Sequence, residues 1–273
     1  MWSISIYSGP SPFELNGNGP ILTNADITDI PAAFVADPFM LHRDNTWYMF
    51  FEAMNTETQH GEIGLATSDD CRAWSYERIV LKEPFHLSYP YVFESQDAIY
   101  MIPETLGAEA VCLYKAIDFP FRWSKIARLI ERGFADPSLF RFNDLWWMFA
   151  CATPYQHDTL VLYYAADLHG PWTQHPKSPV VRSDKRLARP AGRVLNFDNR
   201  LFRFAQDCVP QYGASVRAFE ISELTIDTYA EAEYNSNPIL KASGCGWNAL
   251  GMHHIDAHPQ SDGQWLACVD GNQ

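Results

Sequence analysis

Apolar and polar positions alternate along short runs of this chain, and the runs come in groups of four. One group begins with "ADPFML", continues with "WYMFFE" and "GEIGLATS", and closes with "WSYERIVL". Short runs rich in aromatic and β-branched residues, separated by turn residues, are typical of β-strands. Long stretches with the spacing of an amphipathic helix are absent. The pattern therefore predicts an all-β protein.

The same group recurs along the chain at nearly constant intervals. Its starting pairs are separated by 52, 47 and 53 residues and are Asp37-Pro38, Tyr89-Pro90, Asp136-Pro137 and Arg189-Pro190. A fifth start falls at "GMHHIDAH", around His253 and His254. Repeats of this length with four strands each are typical of propeller blades. We therefore predict one domain over residues 1–273, a five-bladed β-propeller with four-stranded antiparallel blades.

The two ends of the chain indicate how the ring closes. The fifth group stops after two runs, at Asp270-Gly271, and the N-terminal run "WSISIYSG" belongs to no group. If the N-terminal strand completes the last blade, no sheet edge is left open at the junction. We predict closure of the ring by this strand. A twisted β-sandwich is the alternative that the same strand pattern allows.

Blade starts are the first place to look for chemistry, because the first strand of each propeller blade lines the central channel. The residues expected to converge at one mouth of the channel are Asp37, Tyr89, Asp136, Arg189 and His253 or His254. None of them is apolar. The ends of the second strands add a second ring, made of Glu52, Glu104, Gln206 with Asp207, and Asp270.

Carboxyl groups that share one cavity are what glycoside hydrolysis requires, since one donates a proton and the other activates water or attacks the sugar. The candidate catalytic residues are Asp37, Glu104 and Asp136. The candidate substrate-binding residues, which mix aromatic faces with hydrogen-bonding groups, are Tyr89, Arg189, Gln206, Asp207, Tyr212, His253, His254 and Asp270.

Each of these assignments has a structural alternative. An Asp before Pro is also common in turns, and shared repeat ancestry alone explains the likeness of Asp37 and Asp136. Arg189 either keeps a carboxylate ionised, binds an acidic sugar, or pairs with Asp136 across the hub. The side chains of His254, Asp256 and His258 share one face of an extended strand, which raises a metal site as an option. Without a matching distant acid we predict no metal and no cofactor.

Composition narrows the classes of partner. The chain has 20 basic and 33 acidic residues, for a formal net charge of −13. This charge argues against nucleic acid and anionic membrane surfaces as partners. The sequence has no membrane-spanning apolar run and no signal peptide pattern, so we expect a cytoplasmic protein. Its six cysteines include no C-x-x-C pair, which argues against a zinc site. A small molecule or an oligosaccharide is the expected ligand; the sequence does not indicate an oligomeric state.

Several of these segments resemble a known group of proteins. The sequence resembles the five-bladed propellers of glycoside hydrolase families 43, 32 and 68, which place an Asp in a "DP" context on the first blade, as Asp37-Pro38 does. It is more similar to the propeller domain of glucosamine inositolphosphorylceramide transferases and its bacterial stand-alone relatives. The stretches that carry this resemblance are "ADPFML", "GEIGLATS", "HLSYPYVFE", "YMIPE", "ADPSLFR", "GPWTQHP", "ARPAGR" and "FAQDCVPQYG".

The resemblance implies a role for one residue and leaves others open. Asp37 matches the hydrolase pattern and would act as general base or nucleophile. The hydrolases carry acids on blades two and three where this chain has Tyr89 and Asp136, so Glu104 and Asp136 remain candidate proton donors on position alone. We expect a glycosidase-like enzyme that acts on a sugar-linked bond. The alternative is a non-catalytic glycan-binding module that serves a glycosyltransferase or a polysaccharide or natural-product biosynthesis system.

Overall fold

The computed structural model describes residues 1–273 and consists almost entirely of β-strands. The first two strands are β1 (Trp2–Ser11) and β2 (Glu14–Asn16). The first blade follows and contains β3 (Ala32–Arg43), β4 (Thr46–Asn55), β5 (His60–Ser68) and β6 (Ser75–Leu81). The second contains β7 (Ser88–Ser95), β8 (Ala98–Glu104), β9 (Val111–Asp118) and β10 (Arg122–Ile130).

The third blade contains β11 (Ala135–Phe142), β12 (Leu145–Cys151), β13 (Leu160–Ala165) and β14 (Thr173–Gln174). The fourth contains β15 (Arg189–Pro190), β16 (Leu195–Phe197), β17 (Arg200–Asp207), β18 (Ser215–Leu224), β19 (Tyr229–Glu233) and β20 (Leu240–Lys241). The last two strands are β21 (Ile255–Pro259) and β22 (Trp265–Asn272). Three 3-10 helices of three residues each lie at Asn24–Asp26, Leu106–Ala108 and Gly246–Asn248. None of these helices is long and apolar enough to cross a membrane.

Strand order confirms the five-bladed propeller and the closure of its ring. The fifth blade has the order β2-β1-β22-β21, and β1 pairs antiparallel with β22 from Trp2↔Asn272 to Gly9↔Trp265. The N-terminus therefore contributes two strands to this blade, one more than the sequence pattern indicates. Apolar clusters fill the space between neighbouring blades all the way round, including between blades five and one.

Two strands differ from the sequence pattern for identifiable reasons. The run "WTQHPKSPV" forms only the two-residue strand β14, since its prolines cannot donate ladder hydrogen bonds. The first strand of blade four is interrupted between β15 and β16 at Gly192, whose φ is 140°. A Cβ at Gly192 would lie 1.7 Å from the carbonyl oxygen of Ile255, so only glycine fits this close approach between blades.

Candidate functional site

Three blade starts share one unusual backbone conformation. Asp37, Tyr89 and Asp136 have φ angles of 52°, 48° and 52°, and each directly precedes a proline. The ladder between the first two strands is irregular at all three places. A positive φ in a non-glycine residue costs of order 1–3 kcal/mol and persists only where the surroundings enforce it. The repeat thus supplies three copies of a strained bulge at the channel mouth.

Carboxylates at the ends of second strands hold two of these bulges in place. The backbone N–H of Asp37 donates to Asp270 Oδ2 at 3.0 Å, and the N–H of Asp136 donates to Glu104 Oε2 at 3.2 Å. In both cases the carboxylate belongs to the preceding blade. The two rings of polar residues predicted from the sequence therefore lie together, with one ring bonded to the other.

Arg189 is the only guanidinium at this mouth, and each of its three nitrogens donates to a protein acceptor. Nε donates to Asp136 Oδ2 at 2.6 Å, and Nη2 lies 3.4 Å from Asp136 Oδ1 and 3.6 Å from Glu104 Oε2. Nη1 donates to the carbonyl of Pro154 and to His157 Nδ1, both at 3.0 Å. The pairing with Asp136, one of the alternatives raised by the sequence, is thus what the structure shows. Four of the five N–H groups of Arg189 therefore donate to protein acceptors.

Asp37 faces two histidines, not Arg189. Its Oδ1 lies 3.6 Å from His253 Nε2 and 3.8 Å from His254 Nδ1, and it accepts no hydrogen bond. His253 Nδ1 in turn donates to Asp270 Oδ1 at 2.7 Å, which orients the ring. Trp2 stacks on the other side of His253 at 4.0 Å between ring centroids. The strand that closes the propeller ring therefore also packs against a residue beside Asp37.

A cavity of about 630 Å³ lies above these residues. Its walls include Glu104, Arg189, Tyr212, His86 and His157. Tyr212 as a residue is 38% exposed, and its ring centre lies 5.1 Å from the guanidinium carbon of Arg189. An exposed aromatic face beside hydrogen-bonding groups suits the apolar face and polar edge of a sugar ring.

Burial governs the proton affinities of the mouth carboxylates. Burial raises the pKa of Asp37, and the neighbouring imidazoles only partly oppose this rise. Burial also raises the pKa of Glu104 and places the pKa of Asp136 at about 7 despite the Arg189 ion pair. Burial and the surrounding carboxylates raise the pKa of Glu52 well above its ordinary value. Arg189 pairs with Asp136 and not with Asp37, so the carboxylate that it could keep ionised is Asp136, where burial outweighs its effect.

Other predicted site residues occupy different levels of the hub. Tyr89 lies below the mouth, fully buried, with its hydroxyl bonded to Ser138 and to the backbone of Gly192. Gln206 Nε2 donates to Asp136 Oδ2 at 3.0 Å, and its Oε1 has no partner. Asp207 pairs with Arg217 at 2.9 Å, so its carboxylate is already committed. Tyr89 therefore stabilises the backbone beneath the site, and Asp207 stabilises its own blade through the ion pair with Arg217.

Three further residues belong to the site: Glu52, which lies in the predicted second ring but has no predicted role, and His86 and His157, which the sequence does not indicate. Glu52 occupies the strand position that Glu104 and Asp270 hold in other blades, and that repeat register was the available signal. His86 Nδ1 accepts from the N–H of Gly61 at 2.9 Å, and its Nε2 lies 3.4 Å from Glu52. His157 lies on the loop between β12 and β13. Loop position carries no periodic signal, so nothing in the pattern singles out these histidines.

The histidine-rich segment of blade five is divided between two levels of the channel. Asp256 accepts from His258 Nε2, from the N–H of Met40 and from Arg193, which occupies its oxygens away from the mouth. Asp37, His253 and Asp270 do bring three ligand-type atoms within 4.8 Å of one another. However, the Asp270 oxygens accept the backbone N–H groups of Asp37, His253 and His254 as well as the His253 ring. Hydrogen bonding within the protein thus accounts for this cluster.

Comparison with known proteins gives a consistent family and fold. A family model described as "Glucosamine inositolphosphorylceramide transferase 1, N-terminal" matches residues 1–272. A glucosamine inositolphosphorylceramide transferase 1 from Oryza sativa subsp. japonica is 37% identical over all of this chain and 40% of its own length. One from Arabidopsis thaliana is 32% identical over all of this chain and 39% of its own length. The chain thus spans about two fifths of these relatives.

Solved glycoside hydrolases share the fold at low sequence identity. The catalytic domain of a Coprinopsis cinerea GH62 α-L-arabinofuranosidase superposes with a TM-score of 0.66 at 14% identity, over 98% of this chain and 96% of its own. An exo-β-1,3-galactanase from Clostridium thermocellum gives 0.64 at 12% identity, over 86% of this chain and 64% of its own. At such identities the likeness establishes the propeller architecture and no more.

Proposed function

This chain belongs to the glucosamine inositolphosphorylceramide transferase 1 N-terminal family. We propose that it is a carbohydrate-active propeller. In this proposal it binds a glycan at the channel mouth that contains Arg189 and cleaves a glycosidic bond there. The observation that carries this proposal is the convergence of carboxyl groups from different blades beneath one cavity. Glu104 of blade two lines the cavity, Asp136 of blade three shares Arg189 with it, and Asp37 of blade one lies buried against His253.

Asp37 is the proposed general base or nucleophile. Its carboxylate accepts no hydrogen bond, so its oxygens are free to meet a water molecule or an anomeric carbon. Burial raises the pKa of Asp37 above its ordinary value, while the imidazoles of His253 and His254 favour its ionised form. A base whose pKa lies near the working pH transfers protons efficiently.

Glu104 is the proposed proton donor, in preference to Asp136. Glu104 forms part of the cavity wall, and burial raises its pKa so that the carboxyl group holds a proton more readily. Asp136 is 1% exposed and its oxygens accept from Arg189 and Gln206. We assign Asp136 the role of fixing Arg189, which in turn lies against Glu104.

A glycan-binding module without catalysis is the second candidate, and two observations favour it. The chain covers only two fifths of transferases that bear their own activity, so in those proteins the remaining length is available for transfer chemistry. Asp37 keeps only 7% of its side chain exposed and does not form part of the cavity wall.

Turnover separates the two candidates. The purified protein would be screened against a broad panel of aryl glycosides, and binding of the corresponding free sugars would be measured by calorimetry. Cleavage that is lost in Asp37→Asn while binding persists supports the enzyme. Sugar binding with no cleavage of any member supports the module, and the absence of both contradicts the proposed function.

A further inference from the structure

One loop of blade three carries the most exposed large apolar side chain in the protein. Tyr155 is 80% exposed and lies on residues 152–159, which connect β12 to β13. It lines the same cavity as Tyr212. An aromatic ring that is left open beside a cavity offers a face on which a ligand can stack. The cavity therefore has a second aromatic surface besides the ring of Tyr212.

The loop that carries Tyr155 is fixed by its own hydrogen bonds, although it lies at the surface. The hydroxyl of Thr153 accepts the backbone N–H groups of Asp158 at 3.1 Å and Thr159 at 3.0 Å. The carbonyl of Thr153 accepts the N–H of His157 at 2.7 Å. The φ of His157 is 59°, a conformation that persists only where the surroundings enforce it. Tyr155 is thus presented in one place, so a ligand that binds it does not have to order the loop.

Arg189 holds the same loop on both sides of Tyr155. Its Nη1 donates to the carbonyl of Pro154 and to His157 Nδ1, both at 3.0 Å. Pro154 directly precedes Tyr155, and His157 follows it by two positions. The ion pair with Asp136 fixes Arg189 in turn. The position of Tyr155 therefore depends on the guanidinium that lies at the channel mouth.

His157 adds a hydrogen-bond donor to the same wall of the cavity. A guanidinium can only donate, so His157 Nδ1 accepts the bond from Arg189. Burial and that guanidinium lower the pKa of His157 to about 4, so its ring is neutral near pH 7. A neutral imidazole that accepts through Nδ1 carries its proton on Nε2. His157 lines the cavity, and no group of the protein accepts from its Nε2–H.

We propose that residues 152–159 form a second sugar subsite, in which a ring adjoining the sugar at Tyr212 stacks on Tyr155 and accepts a hydrogen bond from His157 Nε2–H. The ligand is then an oligosaccharide of two or more rings. This rests on the proposed function, since it names the substrate class of the same cavity. The cavity volume of about 630 Å³ falls in the range of roughly 300–1,000 Å³ typical of pockets for drug-sized ligands, which are larger than one sugar ring.

The polar groups near Tyr155 favour a second sugar over an apolar aglycone. Glu109, on the loop between β8 and β9 of blade two, is exposed and lines the same cavity. Its carboxylate accepts hydrogen bonds, whereas His157 Nε2–H donates. Sugar hydroxyl groups can do both. An alkyl chain would displace water from these groups without replacing its hydrogen bonds.

The first test varies the number of sugar rings. Calorimetry at pH 7 on the unmodified protein would compare glucose with cellobiose and maltose, xylose with xylobiose, and galactose with β-1,3-galactobiose, together with the octyl β-glycoside of each monosaccharide. We expect a disaccharide to bind at least fivefold more tightly than its monosaccharide in a series that binds. Equal affinities for one and two rings overturn the second subsite and leave the proposed function intact. Tighter binding of the octyl glycoside than of the disaccharide overturns the assignment of a sugar. No binding in any series contradicts both proposals.

Variants of Tyr155 locate the second ring. Tyr155→Ala should reduce the ratio of disaccharide to monosaccharide affinity about fivefold, whereas Tyr155→Phe keeps the aromatic face and should keep most of the ratio. Phe121→Ala is the matched control, since Phe121 is an exposed aromatic residue between β9 and β10 that does not line the cavity. A ratio that survives Tyr155→Ala, or that falls equally in the control, shows that the second ring does not stack on Tyr155.

A last variant tests whether the loop must be fixed. Thr153→Val removes the hydroxyl that accepts two backbone N–H groups and does not alter the lining of the cavity. Amide hydrogen exchange over residues 154–159 should become faster, and the affinity ratio should fall about threefold because binding must now order the loop. Faster exchange with an unchanged ratio would show that the second subsite does not depend on a fixed loop.

Discussion

Arg189 and Arg193 are four residues apart in one short segment, yet they lie at different levels of the channel and differ in how completely their neighbours are satisfied. Arg193 Nε donates to Asp256 Oδ1 at 2.8 Å, and its Nη2 donates to the carbonyl of Val92 at 3.0 Å. Its guanidinium also lies 4.7 Å from the ring centre of Tyr91. Asp256 receives two further donors, so every charge in this group is matched.

The Arg189 group has the same kind of ion pair but an incomplete set of partners. All four of the protein's unpartnered buried side-chain atoms lie on this side, at Asp37, His254 and Gln206. The pKa values of the two paired aspartates also differ. Arg193 and His258 lower the pKa of Asp256, whereas burial raises the pKa of Asp136 to about 7. An ion pair whose surroundings are fully hydrogen-bonded is a structural element, whereas unpartnered polar atoms around an ion pair beside a cavity indicate a binding site.

The largest expected effect comes from removing the satisfied arginine. Arg193→Met leaves Asp256, which is 0% exposed, as a buried charge without its cation. Breaking a buried pair in this way typically costs 3–5 kcal/mol. We expect a loss of this size in the free energy of unfolding, measured by urea denaturation at pH 7. A loss below about 1 kcal/mol would mean that the Arg193 group is not structural.

The second-largest effect is expected on turnover, from a change at Asp37 in the Arg189 group. Asp37→Asn keeps the shape of the side chain but cannot accept a proton, so turnover of any genuine substrate should fall about a hundredfold or more. Stability should hold or rise slightly, because a buried carboxylate that accepts no hydrogen bond is removed. Activity within a factor of about three of the unmodified protein would exclude Asp37 as the base or nucleophile.

The contrast between the two arginines also shows which features of the site could be predicted from the sequence. The repeat period predicts Asp37, Tyr89, Asp136 and Arg189 at the hub, because equivalent positions in successive blades must converge when the ring closes. It also predicts the closure by β1, since an unpaired strand and an incomplete blade have only one economical solution.

The hydrogen-bond partners of these polar groups could not be predicted in the same way. Arg189 and Arg193 look alike in "ARPAGR", but they lie on either side of the break in the first strand at Gly192 and pair with different carboxylates. Tyr89 shares the register of Asp37 and Asp136, but its longer side chain extends beneath the mouth to Gly192 and Ser138. Hydrogen-bond partners from other blades depend on exact three-dimensional placement, which a periodic pattern does not encode.

A third prediction uses pH to distinguish the two groups. The pKa of Asp136 is raised to about 7 in the folded protein, above its ordinary value near 3.8, so protonation of Asp136 favours the folded state. Its contribution is present at low pH and is lost as pH rises through 7. Asp136→Asn should therefore reduce the drop in unfolding free energy between pH 5 and pH 8 by about 2–3 kcal/mol. Asp256 has a lowered pKa and should contribute in the opposite sense, with stability lost on acidification. An unchanged pH profile in Asp136→Asn would contradict the assignment.

The smallest expected effect is the removal of Arg189 at mildly acid pH. Arg189→Met deletes the partner of Asp136 and Glu104, as Arg193→Met does for Asp256, but here burial already raises the pKa of both carboxyl groups. Without the guanidinium, Asp136 and Glu104 can each take up a proton, so that no unmatched buried charge remains. Asp256 is strongly ionised and cannot respond in this way. We expect a loss of only about 1 kcal/mol in unfolding free energy at pH 5, which grows at pH 8 as the protons leave. Urea denaturation of both arginine variants at the two pH values tests this. Equal losses for Arg189→Met and Arg193→Met at pH 5 would show that the two ion pairs play the same structural part, and the distinction drawn between the two groups would fail.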